Sequence, residues 1–445
     1  MSARTSRRIP GRRTMTDRPT SDGRTTVTAL MLVALTAAVL TLAGTTPHGV
    51  GAPAQTYKRV DLEQRTFSCG GGIDGATAVQ GDAGAKLAAP VPVGEQPRQF
   101  DIDHGAALSF AAQESRSKSW LAWGPCPEPR PRWWFVGAGA ATVAHDTVLT
   151  ISNPRPGQAD VDIDVFGPNG PVAAPGLHGI TVPSGATKVV DLARSAPAVG
   201  DLAVNVVATR GLVAITAADR FAPGVVGKAV QEWLPGQPLP SRALTIAGLP
   251  AKPERASLVV VNPRKVEAIV SVEVIGATGT FTPKDNATVT VPPGSVATVP
   301  VQSVFDGGPV ALRITSPQPV TATVRAVAGG DVAFGTGSGP LQGATGFAVP
   351  QGSGQLVLSS AGDKSSVQVT AFDRSGKQLL DRSVTVAKAS SVAIPLPAGT
   401  ADVRLTAATP AVYAGFSVTD TAGVATAGVV PSIRSVLLPV VRPAW

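Results

Sequence analysis

Asp160, Asp162 and Asp164 stand two residues apart in the chain, the spacing with which an EF-hand loop begins to ligate calcium. That loop also needs glycine at its sixth position and glutamate at its twelfth, where this chain has Val165 and Pro171. The intervening Val161 and Ile163 ask instead for burial on the opposite face of a strand, so the three carboxylates are expected on a solvated strand face. Asp101-Ile102-Asp103-His104 places two carboxylates on one face beside an imidazole, a set that could hold a divalent cation or serve acid–base work. No other histidine lies within forty residues of it, and the four histidines (48, 104, 145 and 178) are too scattered for H-E-x-x-H chemistry. The chain has no G-x-S-x-G elbow. Gly137-Ala138-Gly139 and Gly335-Thr336-Gly337-Ser338-Gly339 neither complete a dinucleotide fingerprint nor open a helix. Catalytic, cofactor and metal-binding residues are therefore not assigned.

Four of the six tryptophans, Trp120, Trp123, Trp133 and Trp134, fall within fifteen residues around Cys126. Aromatic faces bury area at low entropic cost, so these residues offer a surface for sugar rings or partner side chains. The plainer expectation is that they pack a small N-terminal unit against the first sandwich. The only two cysteines, Cys69 and Cys126, can form one bridge in an oxidising compartment.

The elements that must position these residues start with an address. Residues 1–24 hold seven arginines and two aspartates, and no charged residue then appears between Arg24 and Lys58. The apolar run inside 25–46 is long enough, with its flanks, to cross a hydrocarbon core of ~30 Å as a helix. By the positive-inside rule the arginines stay in the cytoplasm and the bulk of the chain is outside. An uncleaved single-pass anchor is the favoured reading. A cleavable signal peptide ending near Ala52-Pro53-Ala54 is the alternative, which would make the protein secreted. The net charge of +8 and pI near 9.8 then change meaning. Residues 1–24 supply +5, and the remaining 421 residues carry only +3, so the charge is a topology signal and not a nucleic-acid-binding surface.

Gly and Pro total about a fifth of the chain, yet 43% of residues are hydrophobic and only 4% aromatic. That excludes a helix-rich enzyme and a disordered chain. An internal repeat explains the composition. Leu149-Thr-Ile-Ser-Asn153-Pro154-Arg155 matches Leu258-Val-Val-Val-Asn262-Pro263-Arg264, an offset of 109. The offset holds through Val161, Ile163, Val165 and Gly167 to Thr181-Val182-Pro183-Ser184-Gly185, which faces Thr290-Val291-Pro292-Pro293-Gly294. A weaker third copy holds Val367, Val369 and Phe372. Period-two alternation punctuated by Asn-Pro and Pro-x-Gly turns, in units of about 100 residues, predicts an all-β chain of tandem immunoglobulin-like antiparallel β-sandwich repeats behind one N-terminal transmembrane helix. The expected divisions are a basic tail (1–24), anchor or signal segment (25–46), linker (47–60), a small β unit with the disulfide (61–130), and repeats at 131–236, 240–340 and 345–441.

Cys126-Pro127 before Trp133-Trp-Phe-Val-Gly137, the strand ending Asn153-Pro154, residues 163–172 and Val182-Pro183-Ser184-Gly185 together resemble a family of actinobacterial exported envelope proteins, domain of unknown function 5719. The resemblance covers roughly residues 120–435. It implies a single-pass or secreted envelope protein with β-sandwich repeats, and it brings no catalytic residue with it.

The expected function is a non-catalytic envelope scaffold, membrane-bound through residues 25–46, whose partner is an envelope protein or cell-wall polysaccharide. A glycan-binding protein using the tryptophans is the second reading, and a glycan-acting enzyme using Asp101 and Asp103 the third.

Overall fold

The computed structural model describes residues 57–61, 64–103, 108–141, 145–222, 228–431 and 435–439. The expected tail (1–24), the anchor or signal segment (25–46), most of the linker (47–60) and His104 lie outside the described residues. Among the described residues no helix is long and apolar enough to cross a membrane. The chain divides into two compact units, Met1–Val60 with Leu437–Trp445, and Asp61–Val436. The described residues of the first belong to a pairing of Tyr57–Asp61 with Ser435–Pro439.

The second unit is all-β, and every strand pairing with a stated register is antiparallel. Between Arg132 and Leu234 two sheets face each other. One runs Thr187–Asp191, His145–Ser152, Ala214–Phe221, Val230–Leu234; the other runs Gly170–Val172, Ala159–Gly167, Leu202–Arg210, Arg132–Ala138. Alternation dictates the core: Leu149 and Ile151 of one sheet meet Val161, Ile163, Val165, Val204 and Val206 of the other. The run Trp133–Val136 is apolar without alternation because its strand is buried on both faces. Trp133 and Phe135 enter this core, whereas Trp134 and Val136 pack with Val259, Val261 and Val296 of the next copy.

The repeat at offset 109 is structural. Asn153 Nδ2 donates to the carbonyls of Gly157 (2.8 Å) and Val182 (3.1 Å), and its Oδ1 accepts from Arg155 N at 3.1 Å. Asn262 Nδ2 donates to Val266 O (2.8 Å) and Val291 O (3.0 Å), with Arg264 N on its Oδ1 at 3.0 Å. An asparagine is needed because one side chain must donate to two carbonyls and accept from an N–H at once. In the third copy Ser360 takes the place, bonding the Asp363 carbonyl at 2.7 Å.

The copies differ at one crossing. In the first, Leu202–Arg210 and Ala214–Phe221 are separate strands, broken where Gly211 adopts φ 73°. In the second, the single 18-residue strand Ala311–Ala328 serves both sheets, its first half pairing Ala268–Gly276 and its second half Arg255–Asn262. The third copy has two four-stranded sheets, ordered Ala344–Ala348, Asp402–Ala407, Ser365–Phe372, Gln378–Val386, and Ser391–Pro395, Ser353–Ser360, Val412–Thr419, Val424–Gly428.

Ahead of the repeats, Gln64–Cys69 pairs with Arg98–Asp103, and Val91–Pro92, Thr77–Asp82, Ser109–Arg116 and Leu121–Pro125 form a four-stranded sheet. Cys69 and Cys126, 57 positions apart in sequence, are bridged, with Cα atoms 4.6 Å apart. The sequence suggests packing on the neighbouring repeat, and Ile73, Ala76, Trp120 and Ala122 do enter the core of the first repeat. In the fold, Phe110, Leu121 and Trp123 join the core of the third repeat with Leu356, Leu358 and Val403. The unit has only a small core of its own, Phe67, Cys69, Ala78, Ala111 and Cys126, and it shares a larger one with a segment more than two hundred residues away.

Candidate functional site

Among the described residues, those expected to carry chemistry do not converge. Val161, Ile163 and Val165 are buried, and the aspartates between them take separate local partners. Asp160 accepts from Gln158 Nε2 (2.6 Å) and Thr181 Oγ1 (2.9 Å), which hold its carboxyl below the usual range. Asp162 accepts from Gly179 N and Asp164 from Asn205 Nδ2. Asp101 accepts from Thr66 Oγ1 at 2.7 Å, while the side chain of Asp103 and all of His104 lie outside the described residues. Among the described residues no group of three or more His, Cys, Asp and Glu side chains is placed to hold a metal ion.

The four tryptophans are packing residues. Trp120, Trp123, Trp133 and Trp134 are 9, 5, 5 and 4% exposed. Trp133 stacks on Phe135 and donates Nε1 to Val213 O at 2.8 Å. Trp134 stacks on Phe166, and Trp123 meets Phe416 edge-on at 5.0 Å. None of them presents an open face to a sugar ring.

What the fold brings together is a set of buried ionisable groups spread along the whole chain. Leu121–Pro125 pairs with Ser109–Arg116 on one edge only, so its other edge exposes unpaired N–H groups inside the protein, which must find acceptors. Two carboxylates from different repeats supply them. Glu232 Oε1 accepts from Trp123 N (2.9 Å) and Trp233 N (2.7 Å). Asp331 Oδ2 accepts from Leu121 N (3.0 Å) and from Val424 N (2.9 Å) of the third repeat, and its Oδ1 takes Val332 N. Both acids are buried. Burial pushes Asp331 up to about 7 against the pull of its three N–H donors. Burial, with the Asp331 charge added, raises Glu232 well above the carboxylate range. A third acid, Asp402, takes Gly84 N at 2.9 Å and is pushed up to about 7, chiefly by burial.

The second cluster joins the first repeat to the second. His145 Nε2 lies 3.1 Å from both oxygens of Asp219, and its Nδ1 lies 3.5 Å from Asp201. Thr147 Oγ1 donates to Asp219 at 2.5 Å. From the second repeat, Arg325 makes a two-pronged ion pair with Asp201 while lying over the Phe221 ring, and Thr298 Oγ1 donates to Asp201 at 2.8 Å. Burial alone would lower His145; Asp219 and Asp201 outweigh it and Arg325 opposes them, leaving the imidazole raised to about 9. Burial would raise Asp201, but hydrogen bonds from His145 and Arg325 and the arginine charge drive it far below its usual value. At neutral pH the cluster is a charged, mutually neutralising clasp. Its two hydroxyls, of Thr147 and Thr298, donate to its own carboxylates.

None of these acids stands out in the sequence. Glu232 sits in Val-Gln-Glu-Trp-Leu and Asp331 follows Gly329-Gly330, with no other acid, histidine or cysteine within ten residues of Glu232. The one available signal is an acid inside an otherwise apolar run, and single runs do not reveal partners a hundred or more residues away.

No curated protein matches the chain. Residues 76–397, from within the N-terminal sheet into the third repeat, match the model of a family described as a family of unknown function (DUF5719). That span is well over half of the 445 residues, and the chain belongs to this family.

Proposed function

We propose that this protein is a non-catalytic scaffold of the cell envelope, held to the membrane by residues 25–46, with residues 61–436 carrying a surface for an envelope partner. The observation that supports it is the use of the buried ionisable groups. Glu232, Asp331 and Asp402 satisfy backbone N–H groups across sheet boundaries, and His145, Asp201, Asp219 and Arg325 satisfy one another between repeats. Enzyme sites leave a perturbed acid or base beside space for a substrate; here those groups are consumed in joining sheets.

We also read each unit of about 100 residues as an immunoglobulin-like sandwich, with repeats at 131–236, 240–340 and 345–441 after the disulfide unit at 61–130. The pairing of His145–Ser152 with both Thr187–Asp191 and Ala214–Phe221 makes it a variant, because the constant-type arrangement pairs strands as ABED and CFG. The experiment is in-cell crosslinking of the full chain followed by purification. Repeated recovery of one envelope protein or wall polymer supports the scaffold. Repeated recovery of none, or turnover of an envelope glycan by the pure protein, removes it.

A further inference from the structure

We propose that the N-terminal sheet is a latch on the three repeats, released as three buried acids, one from each repeat, lose their protons. The geometry is a set of backbone N–H groups of the N-terminal unit held by side chains from far along the chain. Trp123 N donates to Glu232 of the first repeat, Leu121 N to Asp331 of the second and Gly84 N to Asp402 of the third. Leu121 and Trp123 lie on the unpaired edge of one strand, and Gly84 follows Thr77–Asp82 of the same sheet. The approach at Gly84 is close: a Cβ there would lie 2.9 Å from the Phe372 ring. A side-chain amide could accept any of these N–H groups without dependence on pH. The fold instead places an ionisable acceptor at all three.

The elements packed around the acids bring them no counter-charge. Asp219 stands directly opposite Glu232 across the strand pair and is itself bound by His145. Arg325 serves Asp201, Arg313 approaches Glu273, and Arg116 serves Glu114 and Asp420. Beside Asp402, Asp373 adds negative charge, Arg374 donates to Ala88 O and Asp82 accepts from Ser109. Arg132, Arg220, Arg242, Arg404, Lys86 and Lys377 are exposed. Among the described residues none of the three acids forms an ion pair.

Burial raises all three carboxyls, Asp331 and Asp402 to about 7 and Glu232 well above its usual range. In an open form each would meet water and return to about 4. The closed form therefore holds protons that the open form has released; it is fully favoured below about pH 4 and loses ground as pH rises. Each acid multiplies the opening constant about tenfold per pH unit, up to about pH 7 for the two aspartates and beyond it for Glu232. Opening takes Phe110, Leu121 and Trp123 out of the core they share with the third repeat.

The test is hydrogen exchange of the full, oxidised chain, read by mass spectrometry between about pH 5 and pH 9, each rate divided by the intrinsic rate at that pH. Residues 109–125 are expected to open at least about tenfold more often than residues 145–152, in the core of the first repeat. Their opening constant rises more than about tenfold per pH unit up to about pH 7. Glu232→Gln and Asp402→Asn keep the acceptor for their N–H and remove the titration, so each lowers that rise by about tenfold per unit. Ser68→Ala, which removes the uncharged contact with Ser152, raises opening equally at every pH. An opening constant of residues 109–125 that does not change with pH, or the parent's slope in both acid variants, overturns the proposal. So does equal protection of the two segments, which would mean that the sheet leaves only when the repeats unfold.

Discussion

Asp402 has one carboxyl oxygen on Gly84 N and the other without a partner, on a residue with no solvent exposure. Burial is the main reason its pKa rises from 3.8 to about 7. The folded state therefore binds a proton that the unfolded chain has released, and stability falls as pH rises from about 4 to about 7. Asp402→Asn keeps the acceptor for Gly84 N and removes that slope. Above pH 7 the variant should be more stable than the parent by roughly 2–4 kcal/mol, read from urea denaturation of both proteins across pH; a variant no more stable than the parent above pH 7 contradicts the assignment. His145 adds to the trend from the other side of neutrality. With its pKa raised from 6.5 to about 9, its contribution is complete below about 6.5 and is lost as pH rises through 9. Deleting the opposing cation of that clasp with Arg325→Met should cost about 3–5 kcal/mol, because Asp201 keeps a buried charge without its main partner.

At the scale of elements, the turn after Asn153 and the turn after Asn262 are one device used twice. Asn153→Ala removes bonds to two carbonyls and Asn262→Ala to three, and each should cost about 2–3 kcal/mol; Ser360→Ala should cost less, having one carbonyl contact to lose. Chemical denaturation of the three variants measures this. Replacing Cys69 and Cys126 by serine opens the loop closed over 57 residues and should remove about 4 kcal/mol in the chain-entropy model.

These elements also show how far the sequence was legible. The β class, the offset of 109 and the pairing of the two cysteines come from patterns local to a strand or unique in the chain. The burial of Trp134 does not, because an apolar run reads alike whether its second face meets solvent, a ligand or another sheet. The partners of Glu232 and Asp331 were hidden for a related reason. A carboxylate capping the free edge of a strand from another repeat has no spacing rule, since the contact is set by how sheets stack and not by helix or strand period.

Across residues 61–436, buried contacts tie the N-terminal sheet to every repeat. Ser68 Oγ meets Ser152 Oγ of the first at 2.9 Å, Leu121 N meets Asp331 of the second, and Leu87 N donates to Arg374 O of the third at 2.9 Å. The repeats are joined in turn by the His145–Arg325 cluster and by Ser391 Oγ on Ile275 O at 2.7 Å. With contacts of this kind, repeats that would otherwise melt as separate units should unfold together, and a scaffold that presents a fixed surface needs that coupling. Differential scanning calorimetry of the full chain tests it most directly. One transition for the β unit, with calorimetric and van't Hoff enthalpies equal, is the expected result; two or more separated transitions assignable to individual repeats would contradict it.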